Sequence, residues 1–256
     1  MKLIKTILAA TFVASGIAGT ANAEVRLGLD SANYEPFYSR SAGGEWAGFE
    51  IEVGDAICAA MEEECEWVPI AWDGIIPALT AKKIDAIVGS MSITEERKKT
   101  INFSDKYYNT PAALIAPKNL SIESTDDLKG KKIAVQVSTT HSNYVEKHLS
   151  DGTDVKIYQD FNDHNQDLFA GRVDAVVADS LALAPFLESK EGSCCEVKMQ
   201  LNDEEVFGIG VGAGIRKDDT ELLAKFNAAI AQIRADGTYD EIAKKYFDFD
   251  IYGGSN

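Results

Sequence analysis

The sequence predicts an α/β protein of two similar lobes, each a central, mostly parallel sheet flanked by helices. Three observations carry that prediction. Short apolar strands alternate with amphipathic helices along most of the chain, the pattern of parallel strands joined by helical crossovers. A second-half segment echoes a first-half one: in LTAKKIDAIVGS at 79–90 and LFAGRVDAVVAD at 168–179, Leu, Ala, the apolar residue before Asp, and Asp-Ala-x-Val coincide at a fixed offset of 89. The C-terminal strand and helices have no sheet partners near them in sequence, so the chain is expected to return and complete the first lobe.

The elements follow in order. A buried strand at 25–29 ends in Asp30 and a loop carrying Tyr34, Pro36 and Phe37. Phe49, Val53, Ile57 and Ala60 recur at helical spacing, giving a helix over 49–61. A strand at 66–70, a helix at 75–81, a strand at 86–89 and a helix at 95–99 complete the first run. The second half opens with a short capped helix at 124–128, a strand at 132–137 and a helix at 142–149. The repeated strand follows, with a helix at 181–187. A Gly-rich apolar strand at 207–215 then leads into helices at 222–235 and 239–246, the first closed by Gly237. Crossings near 109–111 and 207–211 would form a two-strand hinge. They divide the chain into lobe 1 (24–110 with 209–256) and lobe 2 (111–208).

The first 23 residues read as a signal peptide. Lys2 and Lys5 precede an apolar stretch at 7–18, and Ala21-Asn22-Ala23 supplies small residues for cleavage before Glu24. No later segment is apolar and long enough to span a bilayer, so a soluble, exported, periplasmic protein is expected. The net charge of −16 argues against nucleic acid or an anionic membrane as the main partner.

Of four cysteines, Cys58 and Cys65 stand where a helix ends and a strand begins, so a disulfide is easily closed in an oxidising compartment. A metal site is the rival reading, but no paired CxxC or nearby histidine supports it. No metal or other cofactor is expected. Cys194 and Cys195 are adjacent in a loop, and the sequence leaves their pairing open.

The segment from Trp72 to Arg97 carries the strongest chemical signal. Ser90, Met91, Ser92 and Thr94 form a hydroxyl-rich loop at a helix start, and Arg97 lies one turn on. Loop N–H groups and a guanidinium suit a small carboxylate, although a surface arginine beside Lys98 and Lys99 is the plainer reading. The repeat aligns Ser90 with Asp179, giving each lobe a polar residue at the end of its equivalent strand. Asp179, Ser90 and the Ser92 carbonyl are acceptors suited to an ammonium; Asp179 also fits an ordinary helix N-cap. Thr139, Thr140 and His141 offer a second helix start. Tyr34 and Trp72 could flank a ligand side chain, with Asp30 near its far end.

Together, Leu29-Asp30 with Tyr34-x-Pro36-Phe37, Gly48-Phe49-Glu50-Ile51, Trp72-Asp73-Gly74-Ile75-Ile76-Pro77 and Asp85-Ala86-Ile87 through Ser92-Ile93-Thr94 and Arg97 form a specific set. So do Phe103-Ser104-Asp105, Gly171-Arg172-x-Asp174-Ala175, Arg216-Lys217-Asp218 and Asp236-Gly237-Thr238-Tyr239. Over essentially the whole mature chain this resembles the solute-binding proteins of ABC transporters for polar amino acids. The nearest subgroup is that for lysine/arginine/ornithine, histidine or opines. The resemblance implies a type II periplasmic-binding-protein fold, a monomer that is not an enzyme, a free L-amino acid as ligand and an inner-membrane ABC permease as partner. It implies that Arg97, with loop amides near Ser92 and Thr140, holds the α-carboxylate. Asp179 with Ser90 and Ser92 would hold the α-ammonium, Tyr34 and Trp72 would flank the side chain, and Asp30 would lie near its end. The Cys58–Cys65 disulfide matches the basic-amino-acid subgroup.

Three departures bear on the ligand. Asp30 and Tyr34 stand one residue further apart than is usual, His141 replaces a common glutamine, and Gly89 replaces a common serine, which is expected to enlarge the pocket. A lyase of the cyclohexadienyl dehydratase type is the rival on this scaffold, with His141 or Asp179 as its only obvious acid or base.

Overall fold

The computed structural model describes residues 24–253; the expected signal peptide at 1–23 lies outside them. The first run comprises β1 (Val25–Asp30), a small hairpin of β2 (Ser39–Arg40) and β3 (Trp46–Ala47), α1 (Phe49–Met61) and β4 (Cys65–Ile70). It continues with α2 (Ile75–Thr80), β5 (Ala86–Ile87), α3 (Glu95–Lys98) and β6 (Asn102–Phe103). The chain then crosses into β7 (Ala112–Pro117), β8 (Lys132–Gln136), α4 (Thr140–Tyr144), β9 (Asp154–Tyr158) and α5 (Phe161–Phe169). There follow β10 (Ala175–Asp179), α6 (Ser180–Glu188), β11 (Cys195–Leu201) and α7 (Glu204–Phe207). It returns through β12 (Gly214–Ile215), α8 (Thr220–Ala235) and α9 (Thr238–Ala243).

The two sheets have matching orders, β4-β1-β5-β12-β6 and β9-β8-β10-β7-β11. In each, four strands run one way and one runs against them. The reversed strands, β12 and β7, are the ones that enter from the other lobe. The sequence repeat is structural as well. Asp85 N–H donates to the Arg26 carbonyl at 2.8 Å while its carboxylate accepts from Arg26 N–H at 3.1 Å. Asp174, its counterpart, does the same with Lys132 at 2.9 and 2.8 Å. Each aspartate thus clips equivalent strands together, β5 to β1 in lobe 1 and β10 to β8 in lobe 2.

Helices cover both sheet faces. In lobe 1, Phe49, Val53 and Ile57 of α1 are packed in one cluster with Phe226, Ile230 and Ile233 of α8, while Ile75, Leu79, Met91 and Ile101 fill the other face. In lobe 2 the alternation along β10 splits Ala175 and Val177 from Val176 and Ala178, and the two pairs join different clusters. Each such fully buried branched or aromatic side chain contributes about 1.5–3 kcal/mol. The Cys58–Cys65 disulfide is present, closing the α1–β4 junction with a Cα–Cα distance of 6.2 Å, and Cys194 is bonded to Cys195. Among the described residues no helix is long and apolar enough to cross a membrane.

The hinge departs from the expected continuous strand at 207–215. Phe207 closes α7, and Gly208 and Gly210 then take φ values of +78° and +128°. A side chain at Gly208 would collide with the Ile93 carbonyl, so glycine lets the crossing strand press against lobe 1. Val211 pairs with Tyr108 of the other crossing, with N···O distances of 2.9 Å to the Tyr108 carbonyl and from Tyr107 N–H. The expected helix at 142–149 starts earlier, at Thr140, and finishes as a π-turn over Val145–Leu149.

Candidate functional site

One cleft between the sheets, with about 450 Å³ of unfilled space, is lined by residues from both lobes. It lies at the C-terminal ends of parallel strands, where open α/β sheets place ligands: Asp30 ends β1, Gly89 and Ser90 follow β5, Gln136 ends β8 and Asp179 ends β10. Ser90, which lines it, has left-handed backbone (φ 56°), as does Ser138 (φ 58°), the neighbour of the lining residue Thr139. Such strain costs on the order of 1 kcal/mol or more and collects at functional sites.

On the lobe 1 side, Thr94 caps α3 by accepting from Arg97 N–H at 3.2 Å, which fixes the arginine one turn in. The guanidinium donates to two main-chain carbonyls, Ser92 at 3.0 Å and Ser138 of lobe 2 at 3.4 Å. Its Cζ lies 5.6 Å from the Trp72 ring centre. Among the described residues no carboxylate is within ion-pair range of it. Burial pushes its pKa down to about 10, partly opposed by Asp179, so it stays cationic at neutral pH. Ser90 is held by Glu50, a carboxylate buried completely in α1, which accepts from Ser90 N–H at 2.8 and 2.9 Å.

On the lobe 2 side, Asp179 is buried and makes no side-chain cap to α6. The capping alternative is therefore not what holds it. It accepts from the Tyr34 hydroxyl of lobe 1 at 2.6 Å. His141 Nε2 stands 3.3 Å from its other oxygen, within ion-pair range but without hydrogen-bond alignment, so that nitrogen has no partner. Thr139 caps α4, accepting from Ser142 N–H at 3.0 Å, and Thr140 also lines the cleft.

At the far end, Asp30 accepts from Gln136 Nε2 across the lobes at 2.9 Å; burial raises its pKa and the Gln136 bond opposes that rise. Trp72 spans the gap too, donating from Nε1 to the Ser138 carbonyl at 3.2 Å. Tyr34 stacks edge-on against Phe161 at 4.6 Å.

The structure thus brings Asp30, Tyr34, Trp72, Gly89, Ser90, Ser92, Arg97, Thr139, Thr140, His141 and Asp179 to one cleft. Met91 goes elsewhere: its side chain is buried in the apolar cluster with Trp72 and Ile75, because alternation along the loop turns it away from Ser90 and Ser92. Gly89 does not enlarge the pocket as expected, since a Cβ there would meet Leu29 Cα at 3.0 Å rather than open space. Gln136, Phe161 and His164 line the cleft without having been singled out. His164 is fully buried, and burial pushes its pKa down to about 3, so it is neutral. A strand-end glutamine and a histidine inside a helix carry no motif; their one cue is a place in the second lobe's equivalents of β1 and α2.

Residues 25–249 match the family model described as bacterial extracellular solute-binding proteins, family 3. The chain belongs to this family. It is 45% identical over 239 residues to the L-arginine-binding protein of Pseudomonas aeruginosa, covering 92% of each chain. It is 45% identical over 233 residues to the lysine/arginine/ornithine-binding periplasmic protein of Escherichia coli, covering 90% of this chain and 89% of the relative. Among solved structures, an ancestral arginine-binding protein bound to arginine matches with a TM-score of 0.81 at 38% identity, over 88% of this chain and 98% of the other. These relatives are binding proteins, and the two-lobe fold is that of type II solute-binding proteins.

Proposed function

We propose that this family 3 protein is a monomeric periplasmic receptor that captures a basic L-amino acid between its lobes and passes it to an ABC permease, with no catalytic step. The observation that carries the reading is Arg97, a cation with no carboxylate partner among the described residues, facing the same cleft as the buried carboxyl groups of Asp179 and Asp30. An α-carboxylate fits Arg97, with the amides near Ser92 and Thr140. An α-ammonium fits Asp179, Ser90 and the Ser92 carbonyl, and a side-chain cation fits Asp30. Tyr34 and Trp72 then flank the aliphatic stem. The lobe limits proposed are 24–110 with 209–256 and 111–208, and cleavage before Glu24 would release the mature chain. The arginine- and lysine/arginine/ornithine-binding names of the relatives support the ligand class.

Closure follows from the division of the site, since only the closed form brings both halves to one ligand. The test is a thermal-shift screen followed by calorimetry with L-arginine, L-lysine, L-ornithine, L-histidine, L-glutamine and an opine. Ligand binding to the folded state alone raises the melting point, and micromolar to nanomolar affinity corresponds to about −8 to −12 kcal/mol. Basic amino acids are expected to dominate; preference for histidine, glutamine or an opine would replace the ligand while keeping the receptor. The His141–Asp179 contact is the one feature that favours a lyase, and turnover of a prephenate-like substrate would overturn the receptor reading.

A further inference from the structure

Glu50 is a fully buried carboxylate with no cation within ion-pair range among the described residues, and nothing in the ligand scheme uses it. Its surroundings are donors. Ser90 gives it both its N–H and its hydroxyl, the latter at 3.0 Å, and the Tyr107 hydroxyl donates to the other oxygen. The Tyr108 hydroxyl, 3.3 Å from the carboxylate, stands closer to Ser90 Oγ, at 2.6 Å. A hydroxyl has one hydrogen and two lone pairs. With the Ser90 hydrogen directed to Glu50 and one lone pair facing Tyr108, one lone pair remains, and Ser90 lines the cleft.

We propose that Glu50 is the positioning residue of the ammonium half-site: it pins Ser90 in its left-handed conformation, fixes its hydroxyl as an acceptor toward the ligand, and places a buried negative charge directly behind it. This rests on the amino-acid reading above. Burial raises the Glu50 pKa while the surrounding donors oppose that rise, Tyr107 most strongly; an arriving ammonium would favour the ionised form further. A carboxylate serving only the core would be indifferent to what the ligand carries at Cα.

The experiment is calorimetry on the wild type, Glu50→Gln and Tyr108→Phe with two ligands: L-arginine and its desamino analogue, 5-guanidinopentanoate. The wild type should prefer L-arginine strongly. Glu50→Gln keeps the shape but removes the charge and turns an acceptor into a donor facing donors. It should weaken L-arginine about tenfold to a hundredfold, the worth of a charge-assisted hydrogen bond, and the desamino analogue by less than about threefold. Equal weakening of both ligands would make Glu50 a core residue only and overturn the proposal. Equal wild-type affinity for both would instead overturn the ammonium site itself, and the proposal with it. Should Glu50→Gln fail to fold, Tyr108→Phe decides: it leaves the charge but frees the Ser90 hydroxyl to turn, so a loss confined to L-arginine supports the proposal and no selective loss refutes it.

Discussion

The two lobes are built on one plan yet hold their halves of the site differently. In lobe 1 the polar groups of Ser90 and Thr94 are satisfied locally, by Glu50 and Tyr108 and by the start of α3. In lobe 2 Thr139 is likewise capped locally, but Asp179 looks across the cleft to Tyr34, as Gln136 does to Asp30 and the Ser138 carbonyl to Trp72 and Arg97. The Ser90 position of lobe 1 is therefore preorganised, whereas Asp179, its counterpart in lobe 2, gains its hydrogen bond only by closing. That asymmetry implies an order in which the ligand seats on lobe 1 and lobe 2 then folds over it.

The sharpest challenge to this picture is Arg97→Ala. Losing the preorganised cation leaves the ligand carboxylate unpaired in a dry cleft and should cost about 2–5 kcal/mol, read by calorimetry; near-native affinity would remove Arg97 from the site. Replacing both Cys58 and Cys65 by Ser probes the scaffold of lobe 1 alone. A short disulfide loop is worth about 2 kcal/mol, so the melting point should fall by several degrees while ligand affinity stays put. A matching loss of affinity would mean that lobe 1 is less rigid than its hydrogen bonds imply. Tyr34→Phe removes Asp179's partner from across the cleft and should cost about 1 kcal/mol of closed-state stability. Scattering in solution should show a more open ligand-free average, and unchanged dimensions would contradict the dependence of lobe 2 on closing.

The smallest effect concerns acid. Asp203 of lobe 2 caps α7 and binds His148 at 2.6 Å and Lys147 at 3.1 Å, which hold its pKa down at about 2. A group with a depressed folded pKa stabilises above its unfolded value and loses that contribution as pH falls toward the folded one. Lobe 2 should therefore weaken between about pH 4 and about pH 2, and Asp203→Asn should flatten that window. Hydrogen exchange resolved by lobe is the measurement, and identical acid profiles for variant and wild type would refute the assignment.

The fold was legible because its signals are local or repeated. The spacing of Phe49, Val53 and Ile57 gave α1 its correct limits, and Asp85 and Asp174 mark the same clip in both halves. The charged clamp was legible too, because arginine and aspartate at strand and helix ends carry their chemistry openly. Glu50 appeared only as part of a motif, since a glutamate in the first turn of a helix usually faces water. Its burial depends on Tyr107 and Tyr108, which arrive from the hinge more than fifty residues later. Gly89 misled for a similar reason: its missing side chain serves the approach of Leu29, a contact between strands that no local pattern reveals.

The position of lobe 2 as an uninterrupted stretch set inside lobe 1 bears on how the molecule matures. A chain that emerges from its N-terminus presents every strand of the second sheet before β12 and α8 are available to the first. The inner lobe can finish assembling while the outer one still waits for its last strand and for the helix that seals α1. The C-terminal forty-odd residues thus act as a closing stitch, and truncation there should leave a chain with one formed half and one frayed half.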